Sequence, residues 1–439
     1  MKFIEDSIAA FASFIWGYPL LLLLIGGGIY LLILSRFLPF RYFWHAIQVL
    51  RGKYDDPNDP GQISHFQALT TALSATVGMG NISGVAVAIA MGGPGAIFWM
   101  WISAVVGMST KFFTSSLAIM FRGKDSDGVL QGGPMYFIIK GLGSRWKPLA
   151  IFFSSCAMIG ALPVFNVNQL TQALNDILLK PNGVEVTDYT NLGIGFFLVI
   201  ITSIVVLGGL KRIGKVTARL VPSMVILYFI LVVIILIVNI DVVPKYFLMI
   251  FTDAFSADFI NEESVIGGVV GALIILGIKR GAFSNEAGVG TAPMAHGAAK
   301  TDEPIREGLV AMLGPFIDTI IVCTLTALAI LVTGVWQTSD TNGVSLTATA
   351  FGNAMPGIGK YLLMICVAIF SISSLFSYSY YGTKSLSFLV GSKYKHLYNY
   401  LFIASILLGA TASLDTMINL IDSAFALMAI PTMLATIIL

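Results

Sequence analysis

Charged side chains are scarce in this sequence, at 11% of 439 residues, where soluble globular domains carry about 25%. With 56% hydrophobic residues and a mean hydropathy of +0.87, that scarcity excludes an ordinary soluble domain. Cysteine is nearly absent. Cys156, Cys323 and Cys366 sit singly in apolar runs, which excludes a disulfide framework or a cysteine-rich metal cluster and leaves them as small packing residues. The four histidines, His45, His65, His296 and His396, share no ligand spacing. The net charge of +2 is too small to point to nucleic acid. Nothing resembles a nucleophile with its base, a phosphate loop or paired catalytic carboxylates, so no enzyme and no cofactor is expected.

What is abundant is apolar sequence in lengths that cross a bilayer, about 20 residues each. Such stretches fall near 13–34, 66–91, 95–121, 149–175, 192–210, 218–239, 264–300, 305–334, 358–390, 397–413 and 416–439, predicting an all-α integral membrane protein of about 11 spans. The start carries Glu5 and Asp6 and no small-residue cleavage site, so the first span is expected to stay in the membrane. Lys and Arg are retained on the cytoplasmic side. Alternate loops and helix ends hold eighteen of them on one side, including Arg36, Arg51, Arg122, Arg145, Lys211, Arg306 and Lys395, against Lys2, Lys180, Lys245 and Lys360 on the other. This places the N-terminus outside and the end of the last span inside. Pro39 to Leu50 reads as an amphipathic helix on the inner surface.

Two interruptions stand out. Val77, Gly78, Met79, Gly80, Asn81 and Ile82 put two glycines and an amide inside the second span. Non-helical backbone survives at that depth only where it is buried in protein or faces a polar cavity. An unwound segment there exposes carbonyls to a cation and N–H groups to a carboxylate; alternatively Gly80 and Gly84 form a helix-packing G-x-x-x-G. The second interruption is expected in span seven, at Leu276-Gly277-Ile278-Lys279-Arg280-Gly281-Ala282-Phe283 with Ser284 to Gly288 following and a helix resuming from Val289. Arg280 and Glu286 are candidates for an ion pair there, because charges within a span are costly unless paired or wet. The other reading makes Lys279 and Arg280 ordinary loop charges after a helix ending at Gly277. The breaks lie five spans apart, an odd number, so two five-span bundles would cross in opposite senses, the inverted-repeat plan of secondary transporters. Asp318 inside span eight is a candidate either for ion or proton linkage or for a helix-to-helix hydrogen bond. Lys111 in span three is expected to snorkel to the interface.

The run Gly92-Gly93-Pro94-Gly95-Ala96-Ile97-Phe98-Trp99-Met100-Trp101, continuing to Gly107, resembles without a gap the signature of the alanine or glycine:cation symporter family, the sodium:alanine symporters of the amino acid–polyamine–organocation superfamily. His65 to Leu69, Gly132-Gly133-Pro134-Met135-Tyr136, Arg280 to Gly288 and Ser379-Tyr380-Tyr381-Gly382 extend the likeness over nearly the whole chain. The resemblance implies a leucine-transporter-type fold of inverted five-helix repeats with one extra N-terminal helix. Its expected parts are an accessory first helix in 1–35, a cytoplasmic amphipathic linker in 36–65, repeats in 66–239 and 264–439, and an extracellular linker in 240–263. It also implies import of a small neutral amino acid (alanine, glycine or glutamine) with sodium across the cell membrane; a proton-coupled symporter and an uncoupled facilitator or channel are the alternatives. Carried over residue by residue, the substrate site comprises Gly78, Met79, Gly80, Asn81, Asn166, Gln169, Leu276, Gly277, Gly281 and Tyr378. The sodium set comprises Ser74, Val77, Phe370, Ser373 and Ser374, oxygen donors suited to a hard cation; Ser371 lies beside them. Tyr378 stands where the family has a tryptophan, Thr383 where a glutamate is usual and Leu276 where an aromatic can stand. That smaller wall predicts room for a side chain larger than alanine's.

Overall fold

The computed structural model describes residues 7, 10–11, 13–256, 268–338, 341, 343–411 and 415–439. Helices occupy every apolar stretch named above. Among the described residues nine crossings satisfy both length and apolarity, eight single helices and one bent pair; of the eleven stretches, the two outside that set are the broken one at 264–300 and the 17-residue Lys395–Thr411.

After α1 (Ser13–Leu34), the short α2 (Phe43–Leu50) buries Ala46 and Val49 and turns Trp44 outward at 76% exposure, the two-faced pattern expected of an interfacial helix. α3 (His65–Thr76) opens on a reciprocal Ser64/Gln67 capping box, which satisfies orphan N–H groups at its start. It ends where Val77 turns to extended backbone, and after a 55° bend α4 (Gly80–Gly92) begins with a widened π turn over Gly80–Gly84. α5 (Gly95–Met120) starts immediately after Gly93-Pro94 and runs through the centre of the molecule. The fourth apolar stretch is interrupted: α6 (Lys147–Gly160) and α7 (Val164–Leu174) meet at Ala161-Leu162-Pro163, the proline lacking the N–H that would continue the ladder. α8 (Asp188–Val206) and α9 (Gly209–Val238) follow. Ile200, Ile204, Ile226 and Ile237 on them are exposed, a disposition that suits lipid and not water.

α10 (Gly268–Asn285) runs unbroken through Leu276 to Phe283, so the second interruption is not where the glycines at 277 and 281 suggested. Both glycines serve close packing on α5: a Cβ on Gly277 would lie 2.5 Å from the Trp99 Cβ, and one on Gly281 2.8 Å from the Ser103 Cβ. Small residues let the two backbones approach where no hydrophobic drive exists between helices in lipid. The break comes at Glu286 to Gly290, with φ of 54° at Glu286, 89° at Gly288 and 104° at Gly290, before α11 (Thr291–His296). Glycine adopts that left-handed backbone freely; a glutamate does so at a cost of about 1–3 kcal/mol, which marks functional sites. α12 (Pro304–Val332) contains a π stretch, Phe316–Cys323, directly after Pro315. α13 (Gly343–Ala354), α14 (Gly359–Val390), α15 (Lys395–Thr411) and α16 (Asp415–Ile438) complete the chain. The linker expected over 240–263 holds a helix, Val243–Thr252; its remainder from 257 lies outside the described residues.

Candidate functional site

The first break is built by Asn81. Its Oδ1 accepts the Gly78 N–H at 2.8 Å, so one donor freed by unwinding is satisfied from within the segment. Its Nδ2 faces the Asp318 carboxylate at 2.6 Å, the Asp318 carbonyl at 3.1 Å and the Ser284 hydroxyl at 3.1 Å. Ser284 and Thr319 hydroxyls each donate to the other Asp318 oxygen at 2.8 Å. Asp318 is fully buried, so its charge is compensated by converging donors, as burial demands. Asn81 belongs to the first broken span and Ser284 to the end of α10, one residue short of the second break's edge; a single carboxylate on α12 thereby ties both together. Asn81 is itself fully buried and turned into this network.

Lys111 does not snorkel. It is 2% exposed, and its Nζ lies 3.3 Å from where a Gly314 Cβ would stand, one turn from Asp318. Glu286 and Asp318 are the anions acting on it. Arg280 and Glu286 do not pair. Glu286 accepts from the Tyr378 hydroxyl at 2.7 Å and the Thr291 hydroxyl at 2.6 Å.

Between the two breaks lies a cavity of ≈ 50 Å³, its walls including Gly78, Met79, Gly80, Asn166, Glu286 and Tyr378. Phe165, Phe283, Asp422 and Phe425 also face it. Gln169 faces a neighbouring cavity instead, while Leu276, Gly277 and Gly281 lie against α4 and α5. Thus five of the ten residues carried over for the substrate, Gly78, Met79, Gly80, Asn166 and Tyr378, line the central cavity, and a sixth, Gln169, lines the adjoining one. Glu286 had a legible signal: an acid flanked by Gly288 and Gly290 in an apolar stretch. Phe165, Phe283 and Phe425 had none, since an aromatic in an apolar run reads as core.

The oxygen atoms proposed for a cation gather between α3 and α14. The Ser373 hydroxyl lies 3.4 Å from the Ser74 carbonyl and 2.8 Å from that of Phe370; the Ser374 hydroxyl lies 3.5 Å from the Ala75 carbonyl and 3.1 Å from that of Phe370. Val77 is the residue at which the helix opens, and a Cβ on the adjacent Gly78 would stand 3.0 Å from the Ser374 oxygen. The Ser74 hydroxyl meets that of Ser377, which donates to the Thr71 carbonyl at 2.7 Å. Ser371 points elsewhere and has no hydrogen-bond partner.

On the side bearing most loop cations, 60–63 is joined to 298–301: Gln62 N–H donates to the Ala298 carbonyl at 2.8 Å, Lys300 N–H to that of Ile63 at 2.7 Å. Arg122 donates to the carbonyls of Gly297 at 2.9 Å, Thr301 at 2.8 Å and Pro60 at 3.2 Å, and also to Ala299. Burial lowers the Arg122 pKa, and Glu307, Asp302 and Asp59 oppose that shift. Two histidines without common sequence spacing converge here: Nδ1 of His65 and Nδ1 of His296 each meet one oxygen of the fully buried Glu307. The half of the first broken span before its bend, α3, is thereby joined to α11.

A bent helix pair facing a second interrupted helix across a cavity, with carbonyls and hydroxyls collected beside it, is the arrangement of a multi-pass membrane transporter. The fold resembles that of MhsT in complex with L-phenylalanine, with a TM-score of 0.60 over 85% of this chain and 89% of that one at 12% identity. The chain belongs to the sodium:alanine symporter family, whose model matches residues 1–439. It is 41% identical over 437 residues to the sodium/alanine symporter AgcS of Methanococcus maripaludis, covering 97% of this chain and 93% of that one. It is 33% identical to the probable sodium/glutamine symporter GlnT of Bacillus subtilis, covering 100% and 89%, and 34% identical to the amino-acid carrier protein AlsT of the same organism, covering 98% and 88%.

Proposed function

We propose that this protein imports a small neutral amino acid, alanine or glycine, by symport with sodium. The observation that carries the reading is the cavity between the two breaks. At ≈ 50 Å³, against about 10–15 Å³ for one water by the same kind of measure, it has room for about three to five waters. That scale suits six-heavy-atom alanine better than glutamine, although the GlnT relative keeps glutamine as the second candidate. Tyr378, smaller than the family tryptophan, is held in the cavity wall by its hydroxyl on Glu286 at 2.7 Å. In this reading sodium takes the carbonyls of Ser74, Val77 and Phe370 with the hydroxyls of Ser373 and Ser374. It thereby orders the opened backbone at Gly78 to Gly80, where the N–H groups of Met79 and Gly80 receive the substrate carboxylate while that of Gly78 stays on Asn81. The repeats, 66–239 and 264–439, would rock about the site. The distribution of Lys and Arg supports an external N-terminus, which makes the joined face of 60–63 and 298–301 the cytoplasmic one.

The test is uptake of labelled alanine, glycine and glutamine into proteoliposomes under imposed sodium, proton or no gradient. Accumulation of alanine with sodium alone is expected. Ser374→Ala should raise the sodium concentration for half-maximal uptake about fivefold or more, the worth of about 1 kcal/mol, with Ser371→Ala unchanged. Equilibration without gradient dependence would refute coupling and the cation assignment together.

A further inference from the structure

The central cavity shares Met79, Gly80, Phe165, Phe283 and Asp422 with a second one on the α4 side of the breaks, facing outward in the orientation above. The second has a volume of ≈ 270 Å³ against ≈ 50 Å³. Its walls carry two cations, Lys279 and Arg280, and one anion, Asp422, with the amides of Gln169 and Asn419. These opposite charges act on each other, yet among the described residues no ion pair closes between them within 4.0 Å. The Arg280 Nε is buried without a hydrogen-bond partner.

Cations at this depth cost about 2.5–3.5 kcal/mol each on insertion scales, and such residues are usually paired or face a polar pathway. Here they stand apart across a cavity. A molecule that carries both charges fits the gap: an α-amino acid presents a carboxylate to the guanidinium and ammonium groups, and its own ammonium to the carboxylate, each through hydrogen bonds of about 2.9 Å.

We propose that this outer cavity is a second binding site for neutral amino acids as zwitterions, with Arg280 and Lys279 receiving the carboxylate and Asp422 the ammonium. The larger volume makes it less selective for side-chain size than the central site. None of the five residues assigned to sodium lines it, and the charged groups that receive the zwitterion, Lys279, Arg280 and Asp422, lie outside the segment that sodium orders, so binding here does not require sodium.

The experiment is equilibrium binding of labelled L-alanine to the purified full-length protein in lipid nanodiscs, with saturating sodium and with sodium replaced by an organic cation. Two molecules per chain are expected with sodium and one without it. Arg280→Gln and Lys279→Gln should each weaken the sodium-independent component at least tenfold while the sodium-dependent one remains. On the wild-type protein, N-acetyl-alanine and alaninamide, which each lack one charge, should displace alanine from the sodium-independent site at least tenfold less well than glutamine does. A wild-type stoichiometry of one that vanishes without sodium would overturn the proposal while leaving the central site standing. Equal displacement by the single-charge analogues would overturn zwitterion recognition. Loss of the sodium-dependent component alone would count against the central-site assignment and not against this one.

Discussion

Removing the Asp318 carboxylate should loosen both breaks at once. Asp318→Ala deletes the acceptor for Asn81 at 2.6 Å and for Ser284 and Thr319 at 2.8 Å each. The Asn81 amide keeps the residue-318 carbonyl and the Ser284 oxygen, both at 3.1 Å, so it loses only its charge-assisted bond, about 1.5–3 kcal/mol; two stranded hydroxyls add about 1 kcal/mol each, about 3.5–5 kcal/mol in all. If about 1.4 kcal/mol of this reports on the docked first break, the KM for alanine rises about tenfold. Asp318→Asn differs in kind: its oxygen still accepts from Asn81, and the Ser284 and Thr319 hydroxyls can rotate to accept from the new amide, leaving about 1 kcal/mol of lost charge assistance. The assay is sodium-driven alanine uptake over a concentration series, paired with thermal unfolding of the purified variants. Wild-type KM and stability in Asp318→Ala would refute the positioning role. An Asp318→Asn protein with wild-type stability and alanine binding but no transport would transfer Asp318 to charge movement.

Two further outcomes follow from packing and from the joint between 60–63 and 298–301. Gly277→Val inserts a branched side chain where Trp99 and Ala96 already touch the α10 backbone; overpacking of about 1–3 kcal/mol should lower the unfolding midpoint, and an unchanged midpoint would show that α5 and α10 can part at no cost. Glu307→Gln gives one of its two histidine partners an N–H in place of an oxygen, forcing a tautomer change or a lost bond. A destabilisation of about 1–3 kcal/mol is expected, together with faster proteolysis near 60–65, and a wild-type cleavage rate would deny that Glu307 holds that face closed.

The first break was legible because its cause is local: glycines at 78 and 80 remove the drive to stay helical, and Asn81 supplies the missing acceptor from three residues away. The apolar lengths of the spans were likewise a matter of composition against bilayer thickness. The family likeness across 1–439 rests on contiguous motifs, which sequence carries directly. The second break was placed too early because a glycine that breaks a helix and one that lets two helices touch look the same along the chain; only α5 lying against Gly277 and Gly281 separates them. Tertiary packing also decided that Lys111 is enclosed beside Gly314 rather than drawn to the interface, and that Glu286 answers Tyr378 and Thr291 rather than Arg280. It brought His65 and His296 to one carboxylate from positions 231 residues apart. Local conformation follows from neighbours in sequence, whereas the partner of a buried charge is set by which helix faces meet, and that is decided by the packing of the whole bundle.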